Sequence, residues 1–408
     1  MAENTPDIRF GSFAEDWKRS KIGDVITEKK RPVVLDDNIT YQLITVKRRN
    51  EGVVSRGFLK GRQILVKSYY VLKAKDYVIS KRQVVHGANG IVPEKLDGAI
   101  VSNEYLVAIA NDDITTEFLT LISKLPDMYK KFFVSSYGID IEKLVFDVDD
   151  WKKRELSIPT TDEQKKITAF FKDFDELCSA EQQKYDKLVN FKKSMFDKMF
   201  PKDGAKVPEI RFDGFSDEWE TIEMGEVGET YSGLSGKTKL DFGHGEGAFV
   251  TYVNVFTNAI ASKYGVEPVE IDKKQNEVQY GDVFFTTSSE TPEEVGMSCI
   301  WLGNRKNTYL NSFCFGYRPK EKFDSYYLTY VLRSPYVRKK IIFLAQGISR
   351  YNISKNKVME IKIPVPKIKE QTKIGNFFKN LDTQVTLQKE KLQKLTNIKK
   401  AFLKKMFL

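Results

Sequence analysis

Steps of three and four residues from Phe171 land on Phe171, Phe174, Cys178, Glu181, Tyr185, Leu188, Lys192, Met195 and Met199. The same steps from Phe378 land on Phe378, Leu381, Val385, Gln388, Leu392, Leu395, Lys399, Phe402 and Met406. Alternating three-four spacing is the seam of a coiled coil. The positions between are dense in Lys, Asp, Glu and Gln, so each stretch predicts a long helix that touches one partner along a narrow line. The polar interruptions fall at matching places. The two helices are therefore expected to pack on each other, through Phe171, Phe174, Tyr185, Leu188 and Met195 on one and Phe378, Leu381, Leu392, Leu395 and Phe402 on the other. Thr161 and Gln164, after Pro159, read as a capping start, and Pro201 as a stop.

Elsewhere the pattern changes to short β-rich runs between Gly- and Asn-bearing turns: QILVKSYYVL, DYVISKRQVV, AIVSNEYLVAI, DVFFTTSS and SFCFGYRP. One helix is expected after each group of runs, around EFLTLISKLPDMYKKFF and YYLTYVLRSPYVRKKIIFLA. Strands first and a helix later predicts α+β domains rather than a doubly wound sheet. Tyr69, Tyr70 and Tyr77 are expected in strands or core.

The chain also repeats itself. Pro6 to Val25 returns as Pro208 to Val227, an offset of 208 − 6 = 202 that keeps Pro, Ile, Arg, Phe, Trp, Gly and Val in register. Thr161 to Phe200 returns with Glu163-Gln164 at Glu370-Gln371 and Phe170-Phe171 at Phe377-Phe378, an offset of 207. Weaker echoes lie around Asp76 and Asp282. Each half has one plan with matched edges and a divergent interior. The expected division is a mixed domain over 1–157, a long helix over 158–207, a second mixed domain over 208–362 and a second long helix over 363–408.

Composition narrows the function classes. With 41% hydrophobic and 30% charged residues the 408-residue chain buries a core. It has no run of about 20 apolar residues for a bilayer and opens without a secretion signal, so a cytoplasmic protein without a membrane is expected. Three cysteines without a CxxC pair and two histidines indicate neither a disulfide framework nor a metal site. The net charge of +10 suits a polyanionic partner. It is clustered: residues 47–82 hold 11 basic and 2 acidic side chains, and 333–362 hold 8 and 1. These are the candidate phosphate-facing surfaces. Catalytic motifs are missing. GLSGKT lacks the first glycine of a phosphate loop, Tyr231 standing in its place, and no GxGxxG, HExxH or GxSxG appears. A helix of about 37 residues spans roughly 55 Å, longer than the roughly 34–36 Å that commonly separates two half-sites on DNA.

The doubled Ile-Arg-Phe…Trp opening, the doubled Glu-Gln…Phe-Phe helix, the Gly138-Ile139 and Gly347-Ile348 pairs and Ile363-Pro364-Val365-Pro366 ahead of Glu370-Gln371 resemble the specificity (S) subunits of type I restriction-modification enzymes. Ile158-Pro159-Thr160-Thr161 keeps one proline of two. The resemblance implies two target-recognition domains joined by two long helices in an antiparallel coiled coil, each domain reading one half of a bipartite, asymmetric double-stranded DNA site. It implies two methylase subunits docked on the helices and edges, nuclease-translocase subunits in the full complex, and no catalysis in this chain. S-adenosylmethionine, ATP and magnesium would sit on those partner subunits, with no cofactor or metal here.

Arg and Lys suit guanine, and Asn or Gln suit adenine. On that ground the candidate DNA-binding residues are Lys47, Arg48, Arg49, Arg62, Lys81, Arg82, Gln83, His86 and Asn89 in the first domain. In the second they are Lys237, Asn254, Ser288, Arg305, Asn311, Arg350, Tyr351 and Asn352. A free-standing nucleic-acid binder, a fused enzyme with a concealed nuclease or methyltransferase centre, and a coiled-coil scaffold are the competing readings.

Overall fold

The computed structural model describes residues 5–65 and 68–407. It divides into two compact units, Met1–Glu181 with Leu392–Leu408, and Gln182–Lys391. Both long helices form, Thr161–Lys198 and Ile368–Lys405. Every seam position from Phe171 to Met199 and from Phe378 to Met406 is buried or half-buried, while most positions between are exposed. In the first unit the start of the first helix meets the end of the second: Phe170 stands edge-on to Phe402 at 5.1 Å, and Lys399 pairs with Asp175. In the second unit the roles reverse, with Phe196 edge-on to Phe378 at 5.0 Å and Lys192 paired with Asp382. Because 399 − 192 and 382 − 175 both equal 207, these are one ion pair made twice with the helices exchanged. The packing is antiparallel.

Each unit is closed by the same devices. A short strand from the repeated opening pairs with the strand just before a long helix, Lys18–Lys21 with Glu155–Ile158 and Glu220–Glu223 with Lys362–Val365. The repeated Trp packs edge-on against a helix aromatic, Trp17 on Phe118 and Trp219 on Tyr327. Glu163 and Glu370, in the first turn of each long helix, are 0% and 1% exposed. Each is held by two parallel hydrogen bonds from the repeated arginine, Arg9 at 2.7 and 2.7 Å and Arg211 at 2.7 and 2.8 Å. Those bonds keep both guanidiniums above their ordinary pKa.

Gln164 does not cap its helix in the expected way. Its buried amide accepts from the Thr115 amide and donates to the Asp113 and Pro159 carbonyls, and Gln371 likewise joins Asp324 to Pro366.

A four-stranded antiparallel sheet is common to both units. Its order is Ile26–Glu28, Tyr105–Ala110, Tyr77–Ser80, Asn89–Ile91 in the first, and Gly228–Ser232, Cys314–Pro319, Val283–Thr286, Ser298–Ile300 in the second. The echo around Asp76 and Asp282 marks a shared turn into this sheet. Asp76 accepts from the Lys73 amide and from Arg31, and Asp282 from the Gln279 amide, Arg318 and Tyr231. The second sheets differ. The first unit has five strands, Pro32–Val33, Tyr69–Val71, Ile100–Ser102, Thr40–Lys47 and Gly52–Lys60, and the second has three, Val266–Val269, Phe242–Val250 and Thr308–Leu310. Each contains one parallel pair, so the class is α+β.

Two expectations change in detail. The single helix after each group of strands is two, Thr116–Ile122 then Pro126–Val134, and Ser325–Arg333 then Pro335–Phe343. Proline at the first helical position needs no amide partner but forces the residue before it out of helical geometry, and Leu125 and Ser334 are extended. In QILVKSYYVL only Tyr69–Val71 is a strand; Val66 and Lys67 lie outside the described residues.

Replacing Arg211 by Ala would leave a buried carboxylate without its cation, so we expect a loss of about 3–5 kcal/mol in denaturant unfolding. Arg9→Ala should behave alike through Glu163. A loss under about 1 kcal/mol would show that the clasp is not what holds the helix start.

Candidate nucleic-acid interface

In the first unit the strands Thr40–Lys47 and Gly52–Lys60 form a long hairpin whose tip carries three candidates, Lys47, Arg48 and Arg49. Arg49 and Asn50 both have positive φ, 60° and 57°, the pair of values a tight hairpin turn with the sheet's own twist requires. The turn is pinned, since the Arg49 amide donates to the His86 carbonyl at 2.7 Å and the Asn50 amide to Gly87 at 3.0 Å. His86 ends the 3-10 turn Val84–His86, and buried Asn89 points its amide at Asn50 from 3.5 Å. Lys47, Arg48, Arg49, His86 and Asn89 thus come together. Lys47 pairs at 3.4 Å with Glu51 across the turn.

A cleft of about 600 Å³ opens beside the hairpin tip, lined by Arg48, Arg49, Asn50, His86, Lys124 and Tyr129 among others. Glu142 reaches this cluster from far along the chain. It pairs with Arg48 at 2.9 Å and stands 3.4 Å from His86 Nε2, outside hydrogen-bond geometry. Nothing at the sequence level signals Glu142, which is 94 residues from Arg48. Lys81, Arg82 and Gln83 precede the 3-10 turn. The first two are turned toward another strand connection, Lys81 to the Asn103 carbonyl and Arg82 to Glu104, while the side-chain oxygen of half-buried Gln83 has no partner among the described residues. Arg62 is exposed at the far end of the hairpin, away from the tip.

The second unit sorts its candidates differently. The strand Tyr351–Asn352 pairs with Ser288–Ser289, Asn352 opposite Ser288, and exposed Arg350 immediately precedes it. Tyr252, which residue patterning passed over, donates its hydroxyl to the Ser288 carbonyl at 2.8 Å and stacks its ring on Phe256 at 5.9 Å. Its i, i+4 spacing from Phe256 on the short helix Tyr252–Thr257 was the available signal. Burial raises the pKa of the Tyr252 hydroxyl.

The remaining candidates are occupied internally or stand apart. Asn254 donates to the Ser262 and Gly265 carbonyls and accepts from the Ser262 amide. Asn311 donates to the Val250 carbonyl and to Cys314 and accepts from the Phe313 amide. Lys237 lies 3.0 Å from Asp272, whose carboxyl is held at about 2, first by the Lys274 amide and then by Lys237. Arg305 is exposed beside the three-stranded sheet.

The basic cluster over 333–362 is not all phosphate-facing. Arg338 is turned inward onto the Glu293, Val295 and Gly296 carbonyls and is pushed down to about 10 by burial, and Arg333 donates to the Phe256 carbonyl. Burial likewise pushes the Cys299 and Cys314 thiols up to about 12. Among the described residues no cluster of His, Cys, Asp and Glu has a metal-holding arrangement, and no helix is long and apolar enough to cross a membrane.

The sequence model of the type I restriction modification DNA specificity domain matches residues 14–190 and 216–397. The chain is 23% identical to the type I restriction enzyme MjaVIII specificity subunit of Methanocaldococcus jannaschii, over 98% of this chain and 93% of that protein. In fold it is similar to the HsdS subunit from Thermoanaerobacter tengcongensis, with a TM-score of 0.53 and 18% identity over 96% of each chain. It is also similar to the type I restriction-modification system S subunit from M. genitalium, with a TM-score of 0.55 and 15% identity over 99% of each.

Stability measurements separate the two kinds of candidate. Asn311→Ala strips partners from buried groups and is expected to lower unfolding free energy by about 1–3 kcal/mol. Arg350→Ala, at an exposed position, should stay within about 0.5 kcal/mol of the parent. A neutral Asn311→Ala would return that amide to the pool of ligand-reading groups.

Proposed function

The chain belongs to the type I restriction modification DNA specificity family, and from that premise we propose that its two units read the two halves of a split, asymmetric DNA site, one half each. The observation that carries this reading is a shared scaffold with unlike reading surfaces. Both units keep the Arg–Glu clasp and the four-stranded sheet. The first presents Arg48, Arg49 and His86 from a pinned hairpin, and the second presents Arg350, Tyr351 and Asn352 around Ser288. Cations at such surfaces position the protein on phosphates, and side-chain forks and amides then choose bases.

The long helices act as the spacer, and with the duplicated edges they dock two methylase subunits. Their outer faces are polar and charged, as suits a surface shared with another protein rather than a core. The chain itself is the non-catalytic reader. S-adenosylmethionine belongs to the methylases, and ATP and magnesium to nuclease-translocase subunits that join for cleavage in the cytoplasm. The similarity to the MjaVIII specificity subunit along almost the whole chain supports this assignment.

The test is co-expression with a type I methylase subunit from the same genome, followed by single-molecule mapping of methylated adenines. We expect a motif of two short specific parts separated by a fixed gap, with one part alone changing when residues 228–362 are exchanged for those of a relative. A continuous motif, or no methylation from an assembled complex, would favour a free-standing binder instead.

A further inference from the structure

Two isoleucines stand almost wholly in solvent at equivalent places. Ile139 is 106% and Ile348 97% exposed, 348 − 139 = 209 residues apart. Each follows a glycine in a hairpin loop that comes shortly after the second of the two short helices. Tyr137 pairs with Val145 across the first loop, and Gln346 bridges Asn352 across the second. The glycine is required by both loops. A Cβ on Gly347, where φ is +146°, would lie 2.0 Å from the Arg350 carbonyl oxygen, and one on Gly138 3.0 Å from that of Lys143. A side chain this exposed contributes nothing to the core. Scattered exposed apolar residues need no explanation, but the same one, built twice on a tight glycine turn, does.

Both loops are joined to the surfaces that carry the reading candidates. Glu142, in the first loop, pairs with Arg48 and faces His86. Arg350 belongs to the second loop, and Asn352 closes it against Ser288. Ile139 is three residues from Glu142 and Ile348 two residues from Arg350, so a polyanion drawn to those surfaces comes close to both loops. Beyond the shared Gly-Ile the loops differ, Asp140, Ile141, Glu142 and Lys143 against Ser349, Arg350, Tyr351 and Asn352. A protein partner common to both units would meet matched side chains. A duplex offers the same groove twice with different bases in it.

We propose that Ile139 and Ile348 are apolar groove contacts, one set against the base steps of each half-site, which add affinity without choosing the sequence. Aliphatic side chains at DNA surfaces act in this way when they are wedged at a base step. The proposal rests on the two-reader assignment above.

The experiment uses the full chain in complex with its methylase and a fluorescent duplex carrying the motif mapped for the parent protein. Ile139→Ser and Ile348→Ser should each raise Kd roughly tenfold and together roughly a hundredfold. The motif, the melting temperature and the amount of co-purifying methylase should stay as in the parent. An unchanged Kd overturns the proposal. Loss of methylase from the complex overturns it in favour of a protein-docking loop, and loss of specificity in one half-site overturns it in favour of a base reader. Failure of the parent complex to bind its own mapped duplex is a different result, because it removes the two-reader assignment and this proposal with it.

Discussion

A carboxylate buried in the first turn of a helix has to meet a cation, and Glu163 and Glu370 each meet an arginine from the opening of their own repeat. The pairing spans more than 150 residues in each case. It joins the first residues of a repeat to the helix that follows its interior, so everything between is a closed excursion with fixed ends. The two-stranded clip and the buried tryptophan sit beside the same closure. An uncompensated buried charge is so unfavourable that this junction tolerates little change. The loops between its ends are free of that restriction.

That division is visible in the sheets. The four-stranded sheet and its Asp-centred turn appear in both units, although the sequence echo between Asp76 and Asp282 is faint. The arginine that neutralises each aspartate comes from a different place, Arg31 just after the strand Ile26–Glu28 in one unit and Arg318 within the strand Cys314–Pro319 in the other. Physical chemistry holds the need for a cation constant while the source of the cation drifts. The second sheet is under no such need, and there the units differ in strand number and in the side chains they present.

Legibility in the sequence follows the range of the interaction involved. The helix seams could be read from Phe171 to Met199 and from Phe378 to Met406 because helical periodicity is local and the repeat supplied each helix with a second witness. The short helices could be read as helical but not as broken, since Pro126 and Pro335 each sit at a first helical position, where proline is compatible with helix, and apolar residues continue on both sides. The interface was the least legible part. Residue type alone marks Asn254 and Asn311 as suited to adenine, but only the folded chain shows their amides engaged with backbone groups. Arg338 in a basic cluster looks like a phosphate ligand until burial turns it onto three carbonyls. Glu142 is invisible beforehand because its neighbours are brought to it by folding.

The exchanged ion pairs along the helix seam tie the two copies together. Lys192 belongs to the first repeat and its aspartate, Asp382, to the second; Lys399 belongs to the second and Asp175 to the first. A substitution in either copy therefore alters a contact made by the other. A charge lost in one leaves its partner in the other without its counter-ion, so a change in either helix is felt by both. The seam is thus a place where each repeat's charge is answered by the other repeat's.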